Sequence, residues 1–172
     1  NIPANALRLF ESKYAENPSD ANLYGLALAY KKNNNFNEGL ASLDKLLEKY
    51  PKNLVLNTTK VEFLSYFNKF NDALDLANKF LEISPKNYPL SISKSQILLN
   101  MGQYFESEEI IRDQLLRKND SPDLWFMLSE TQKTSQNIVG YHQSRAEYFL
   151  LLGQDEKALN QLEFALQLTQ NK

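Results

Sequence analysis

Apolar residues recur along this chain at the three- and four-residue spacing that is typical of amphipathic helices. The segment "NLYGLALAY" places Leu23, Leu26, Ala27 and Tyr30 on one helical face. A polar turn, "NNN", follows it, and a second apolar series begins near Phe36. Gly and Pro are scarce, at 5 and 6 residues, so the chain has few of the turns that sheets need. The pattern predicts helices that pack in antiparallel pairs.

The helical pattern repeats along the chain. Pro51 in "EKYPKN" and Pro85 in "EISPKN" lie 34 residues apart, and Lys-Asn follows each of them. Phe36, Phe70 and Tyr104 open successive second helices at the same interval. A repeat of about this length is typical of stacked helix pairs.

This period predicts the organisation of the whole chain. We expect an all-α fold of about ten helices in which the pairs stack into a right-handed α-solenoid with a concave and a convex side. The predicted single domain consists of a truncated leading helix at 1–19, repeats at 20–53, 54–87 and 88–121, an unpaired helix and linker at 122–138, and a final repeat at 139–172. In the final repeat Ala146, Gly153, Ala158, Leu162 and Ala165 match the expected pattern.

The residues quoted above resemble the tetratricopeptide repeat (TPR) family across nearly the whole chain. A narrower stretch, "GYHQSRAEYFLLLGQDEKALNQLEFAL" preceded by "LWFMLSETQ", is similar to the C-terminal end of the BepA-type periplasmic metalloproteases. This resemblance implies that the parent protein has a zinc protease domain and acts in assembly and quality control of outer-membrane barrel proteins. It also implies a periplasmic location. The absence of cysteine is equally compatible with the cytosol.

Solenoids of this family usually bind extended peptides or helices on a concave face lined by the first helices. The repeat pattern assigns the following residues to that groove: Tyr24, Leu28, Lys31, Thr58, Glu62, Tyr66, Ile92, Gln96, Leu99, Phe126, Glu130, Gln143 and Glu147. Many of them are apolar or aromatic, which favours a protein or peptide partner. The resemblance suggests either barrel-assembly components or the parent's own protease domain as that partner. Docking of the missing domain and binding of a separate protein both remain possible at this stage.

Arg145 is the unusual residue of the last repeat, because it stands where a leucine is expected. A half-buried arginine needs a carboxylate, and Glu130 on the preceding helix is the candidate. We interpret this pair as a structural junction, with partner binding as the alternative.

The sequence offers little for catalysis. His142 is the single histidine, whereas the protease motif His-Glu-x-x-His needs two. Ser144 lies two residues away on the same helix, so the two side chains face apart. We therefore expect no catalytic residue, metal site or cofactor in this chain, and we interpret His142 as a packing residue. The acidic run Glu106–Glu109 is interpreted as a solvated helix start.

Charge and hydropathy narrow the possible partners. The 19 basic and 21 acidic residues give a net charge of -2, and no basic stripe is visible, which argues against nucleic acid. No apolar run approaches the roughly 18 residues of a membrane span. A stand-alone TPR scaffold or adaptor without an attached enzyme is the alternative to the protease-associated module.

Overall fold

The structure, a computed structural model, describes residues 2–170. This part of the chain forms ten α-helices and no strand, which confirms the predicted all-α class. The helices are α1 Ile2–Glu16, α2 Asp20–Lys32, α3 Phe36–Lys49, α4 Leu54–Tyr66, α5 Phe70–Ile83, α6 Tyr88–Asn100, α7 Tyr104–Leu115, α8 Pro122–Thr134, α9 Ile138–Leu151 and α10 Asp155–Gln170.

Side-chain hydrogen bonds cap the start of α2, α4 and α6. Ser19, Asn53 and Asn87 each accept a hydrogen bond from the backbone N–H three residues further on, at 3.2, 3.0 and 3.0 Å. These residues lie 34 positions apart, and Ser121 follows at the same interval without a side-chain cap. Short polar side chains here satisfy N–H groups that a helix start leaves without partners.

The turn inside each pair contains one residue with positive φ. These residues are Asn34, Asn68, Gly102 and Gln136, with φ of 60°, 58°, 79° and 62°, again 34 positions apart. Glycine and asparagine tolerate this left-handed conformation better than other residues do. Gln136 lies between α8 and α9, which we call the fourth pair, and Gly153, with φ of 68°, lies in the next turn, between α9 and α10.

The sequence assigned 122–138 to an unpaired helix and a linker, and 139–172 to a final repeat. α8 packs against α9 across the short turn at 135–137, and α9 also packs against α10. The contact between α8 and α9 is partly polar: Gln132 and Ser144 are both buried, and the Ser144 hydroxyl donates to Oε1 of Gln132 at 2.7 Å. A search for apolar periodicity misses a helix interface of this kind.

The helices divide into two compact units, Asn1–Pro85 and Lys86–Lys172. Each unit has its own buried cluster of apolar residues. In the first unit these are Leu23, Leu46 and Leu56, with a second cluster of Ala27, Leu43 and Phe63. In the second unit they are Ile111, Leu115, Leu124 and Leu128.

Gly39 allows close packing in the first unit. A Cβ atom at this position would lie 2.6 Å from the ring of Phe63 and 3.2 Å from Cβ of Tyr30. A larger residue would force these side chains to move, so glycine allows the close packing.

Candidate functional site

Two first helices of the first unit, α2 and α4, carry a partly apolar exposed surface. Leu28 and Tyr66 are 37% and 47% exposed. Lys31 lies between them along the chain, and Glu62 is exposed on α4. We call Tyr24, Leu28, Lys31, Glu62 and Tyr66 the α2/α4 surface.

Tyr24 is a structural part of this surface. Its ring packs against both apolar clusters of the first unit. Its hydroxyl shares a hydrogen bond of 3.0 Å with the hydroxyl of Thr59, which ties α2 to α4. The exposed members, Leu28 and Tyr66, are therefore better candidates for direct contact with a partner.

Lys31 and Tyr66 form a cation–π contact across the α2/α4 surface. The Lys31 ammonium lies 5.2 Å from the centre of the Tyr66 ring. Burial lowers the pKa of Lys31 below its ordinary value of 10.5, and the nearby Glu62 carboxylate partly opposes this shift. Because this ammonium is partly removed from water, it interacts favourably with anionic or aromatic groups of a ligand.

Thr58 does not contribute to this surface. It is only 8% exposed, whereas the sequence had placed it in the groove. Most of α4 is buried, including Asn57 and Thr59 on either side of Thr58. The short side chain of Thr58 is therefore covered together with its neighbours.

In the second unit the predicted groove residues on first helices are Ile92, Gln96 and Leu99 on α6 and Phe126 and Glu130 on α8. Ile92 packs against the buried cluster of this unit, so it is only partly available. Gln96 is exposed, and its amide donates to Asn100 at 3.3 Å. Phe126 on α8 is 38% exposed.

Gln143 and Glu147 are exposed, but they lie on α9. The sequence had assigned them to a first helix. In the structure α9 packs against both α8 and α10.

Arg145 has an environment of aromatic rings and one carboxylate. The guanidinium carbon lies 4.6, 5.0 and 5.4 Å from the ring centres of Phe126, Tyr148 and Phe149. Nη1 lies 3.6 Å from Oε1 of Glu130, the predicted partner. Nη1 is also buried and has no hydrogen-bond acceptor, so this ion pair is made without a hydrogen bond.

His142 packs between α9 and α10. Its Nδ1 lies 2.8 Å from Oε1 of Gln161, and its ring contacts those of Tyr141 and Phe164 at 4.9 and 5.4 Å between centres. Ser144 on the same helix bonds to Gln132 instead. The geometry brings no nucleophile to His142 among the residues described.

The acidic run Glu106–Glu109 contains one residue that is held by other side chains. Glu108 accepts two hydrogen bonds from Arg112, at 2.6 and 2.9 Å, and one from the buried Gln132 at 3.0 Å. Within residues 2–170 no group of His, Cys, Asp and Glu side chains is arranged to hold a metal ion. In the same range no helix is long and apolar enough to cross a membrane.

The structure shows an exposed apolar face on α10 that the repeat pattern did not predict. Leu162 was expected to pack with Ala158 and Ala165, but the structure buries the two alanines and leaves Leu162 46% exposed. Leu159 and Leu166 are 58% and 56% exposed. In a helical projection of the sequence the three leucines lie on a different side of α10 from Ala158 and Ala165. This difference could have predicted that the helix has two distinct apolar faces. We call Leu159, Leu162 and Leu166 the α10 leucine stripe.

The paired helices, the 34-residue interval and the turns with positive φ define a TPR fold. A thermophilic TPR protein of Thermus thermophilus superposes with a TM-score of 0.71 at 20% identity, over 95% of this chain and 90% of that chain. The type IV pilus biogenesis factor PilW gives 0.73 at 16% identity, over 96% and 82%. A TPR protein of Parabacteroides merdae gives 0.65 at 14% identity, over 96% and 73%.

No family model and no curated protein matches the sequence. The likeness to the solved structures is therefore a likeness of fold. It agrees with the predicted repeat architecture.

Proposed function

We propose that this chain is a protein-interaction module that binds a partner through its first helices. The observation that carries the proposal is the exposed pair Leu28 and Tyr66 on the α2/α4 surface of the first unit. Exposed apolar and aromatic side chains on a helical scaffold favour binding of a peptide or helix, because the contact removes their apolar area from water.

We further propose that the module is the C-terminal TPR domain of a periplasmic zinc protease with chaperone activity, which acts in outer-membrane protein assembly and quality control. The support is the similarity of "LWFMLSETQ" and of the segment from Gly140 to Leu166 to the BepA-type proteases. In this proposal the reaction is carried by a separate domain with a His-Glu-x-x-His helix, and this chain contributes binding. The partner is a barrel-assembly component or that protease domain.

A binding experiment tests the role of the α2/α4 surface. We expect Leu28→Ser combined with Tyr66→Ser to weaken pull-down of purified barrel-assembly proteins or of the protease domain at least tenfold. The matched control is Ile83→Ser, which changes an exposed apolar residue on the second helix α5. Tyr24 is left unchanged because its ring belongs to the core. Equal binding by the double variant and the control would refute the surface assignment.

The gene sequence upstream of Asn1 tests the attachment to a protease. A His-Glu-x-x-His segment there supports the protease-associated module, and its absence supports a stand-alone scaffold.

A further inference from the structure

The α10 leucine stripe is an apolar face that no other described helix covers. Leu159, Leu162 and Leu166 follow one another at intervals of three and four residues, so they share one side of the helix. All three are about half exposed. The buried side of α10 is formed by Ala158 and Ala165, with Gln161 bonded to His142. At 3.6 residues per turn the stripe lies roughly a quarter turn from that buried side.

The leucine spacing is that of a helix-packing seam. A seam of this kind receives a second helix whose apolar side chains enter the spaces between its own. The side chains of a loop or an extended peptide do not recur at the three- and four-residue spacing of these leucines. The geometry of the stripe therefore favours a helical ligand that lies along α10.

Charge beside the stripe indicates what kind of helix this is. Glu156 and Glu163 are both exposed, and their positions along α10 place them next to the leucines on the solvent side. Neither forms an ion pair with another residue of the described chain. Lys157 is the only basic residue within α10. Its ammonium donates to Oε1 of Gln154, just before α10, at 2.8 Å and lies 5.6 Å from the Phe149 ring of α9.

We propose that the α10 leucine stripe docks an amphipathic helix of a partner protein whose apolar face is flanked by Lys or Arg. The leucines supply the apolar contact, and Glu156 and Glu163 pair with the basic flank. A second copy of this chain is disfavoured, because its own α10 would bring a second set of acidic side chains to the seam. This site is separate from the first-helix surfaces of the proposed function.

The probe is a synthetic helical peptide with leucines at three- and four-residue spacing and lysines on both flanks, measured by fluorescence anisotropy. The matched peptide carries glutamates in place of the lysines. We expect the lysine-flanked peptide to bind the full chain at least tenfold more tightly than the glutamate-flanked one. Equal binding of the two peptides, or no binding of either, overturns the proposal.

Variants of the chain test whether the peptide binds on α10. We expect Leu159→Gln with Leu166→Gln to weaken the lysine-flanked peptide at least tenfold, and Glu156→Gln with Glu163→Gln to weaken it about threefold to tenfold. The control Leu116→Gln changes a leucine of the same unit that is 87% exposed and should bind as the unaltered chain does. Unchanged binding by the leucine variant overturns the proposal. So does a dimer of the unaltered chain, seen by light scattering, that the leucine variant abolishes. The glutamate variant alters exposed charges alone, so it remains decisive if the leucine variant loses helical signal.

Discussion

Arg145 is a charged residue at a position where the other repeats have a buried apolar side chain. The equivalent positions at intervals of 34 residues are Leu43, Ala77 and Ile111, and all three are buried apolar side chains. The fourth pair places a guanidinium there and surrounds it with three rings and Glu130. Cation–π contacts and the ion pair offset part of the cost of removing the charge from water.

Replacing Arg145 by leucine restores the apolar residue of the other pairs. Half-buried ion pairs without hydrogen bonds are weakly stabilising, so we expect Arg145→Leu to leave the free energy of unfolding unchanged or to raise it by about 1–4 kcal/mol. Glu130→Gln should lower the free energy of unfolding, because the cation then loses the carboxylate of Glu130. Urea denaturation measures both values. A marked loss of stability in Arg145→Leu would mean that the aromatic contacts dominate.

At the scale of elements, the turn inside each helix pair sets the repeat. Asn34, Asn68 and Gly102 are residue types that accept positive φ, whereas Gln136 is not. The fourth turn therefore adopts its left-handed conformation at a cost, which the packing of α8 against α9 offsets.

The turn positions give a paired prediction. We expect Gln136→Gly to raise the free energy of unfolding by about 0.5–1 kcal/mol, since glycine adopts positive φ without steric strain. Gly102→Asn should change it by less than about 0.5 kcal/mol, because asparagine already serves at Asn34 and Asn68 and a Cβ at Gly102 meets only the Tyr104 hydroxyl at 3.9 Å. Thermal denaturation distinguishes the two. Destabilisation by Gln136→Gly would show that the glutamine side chain itself stabilises the turn.

At the scale of the whole molecule, each unit contains its own buried cluster. The cluster of the second unit is formed by Ile111, Leu115, Leu124 and Leu128, all within Lys86–Lys172. We therefore expect residues 86–172, expressed alone, to be helical and to unfold cooperatively by circular dichroism.

Within that fragment Leu128→Ala should cost about 2–5 kcal/mol, as truncation of a fully buried leucine does. The exposed residue Leu116 provides the control, and Leu116→Ala should cost less than about 0.5 kcal/mol. A fragment that melts without a cooperative transition would show that this cluster is not sufficient for folding.

Much of the architecture could be predicted because it is local. Each cap, turn and apolar series involves residues within about 34 positions of one another. Together they predicted three helix pairs, which begin at Asp20, Leu54 and Tyr88. The packing of α8 against α9 could not be predicted from the sequence, because this contact includes the hydrogen bond between Ser144 and Gln132, which forms only when the two helices meet. The burial of a polar side chain cannot be predicted from the sequence until its hydrogen-bonding partner is known.

The sequence by itself determined that this protein is all-helical, where its helices begin, and that Arg145 needed a carboxylate, since these follow from local propensity and from the cost of burying charge. Only the tertiary structure decided which predicted surface residues reach solvent. It buried Thr58, placed the ring of Tyr24 in the core, and left Leu159, Leu162 and Leu166 exposed. Exposure depends on which helices pack against a face, and side-chain type along the chain does not fix that.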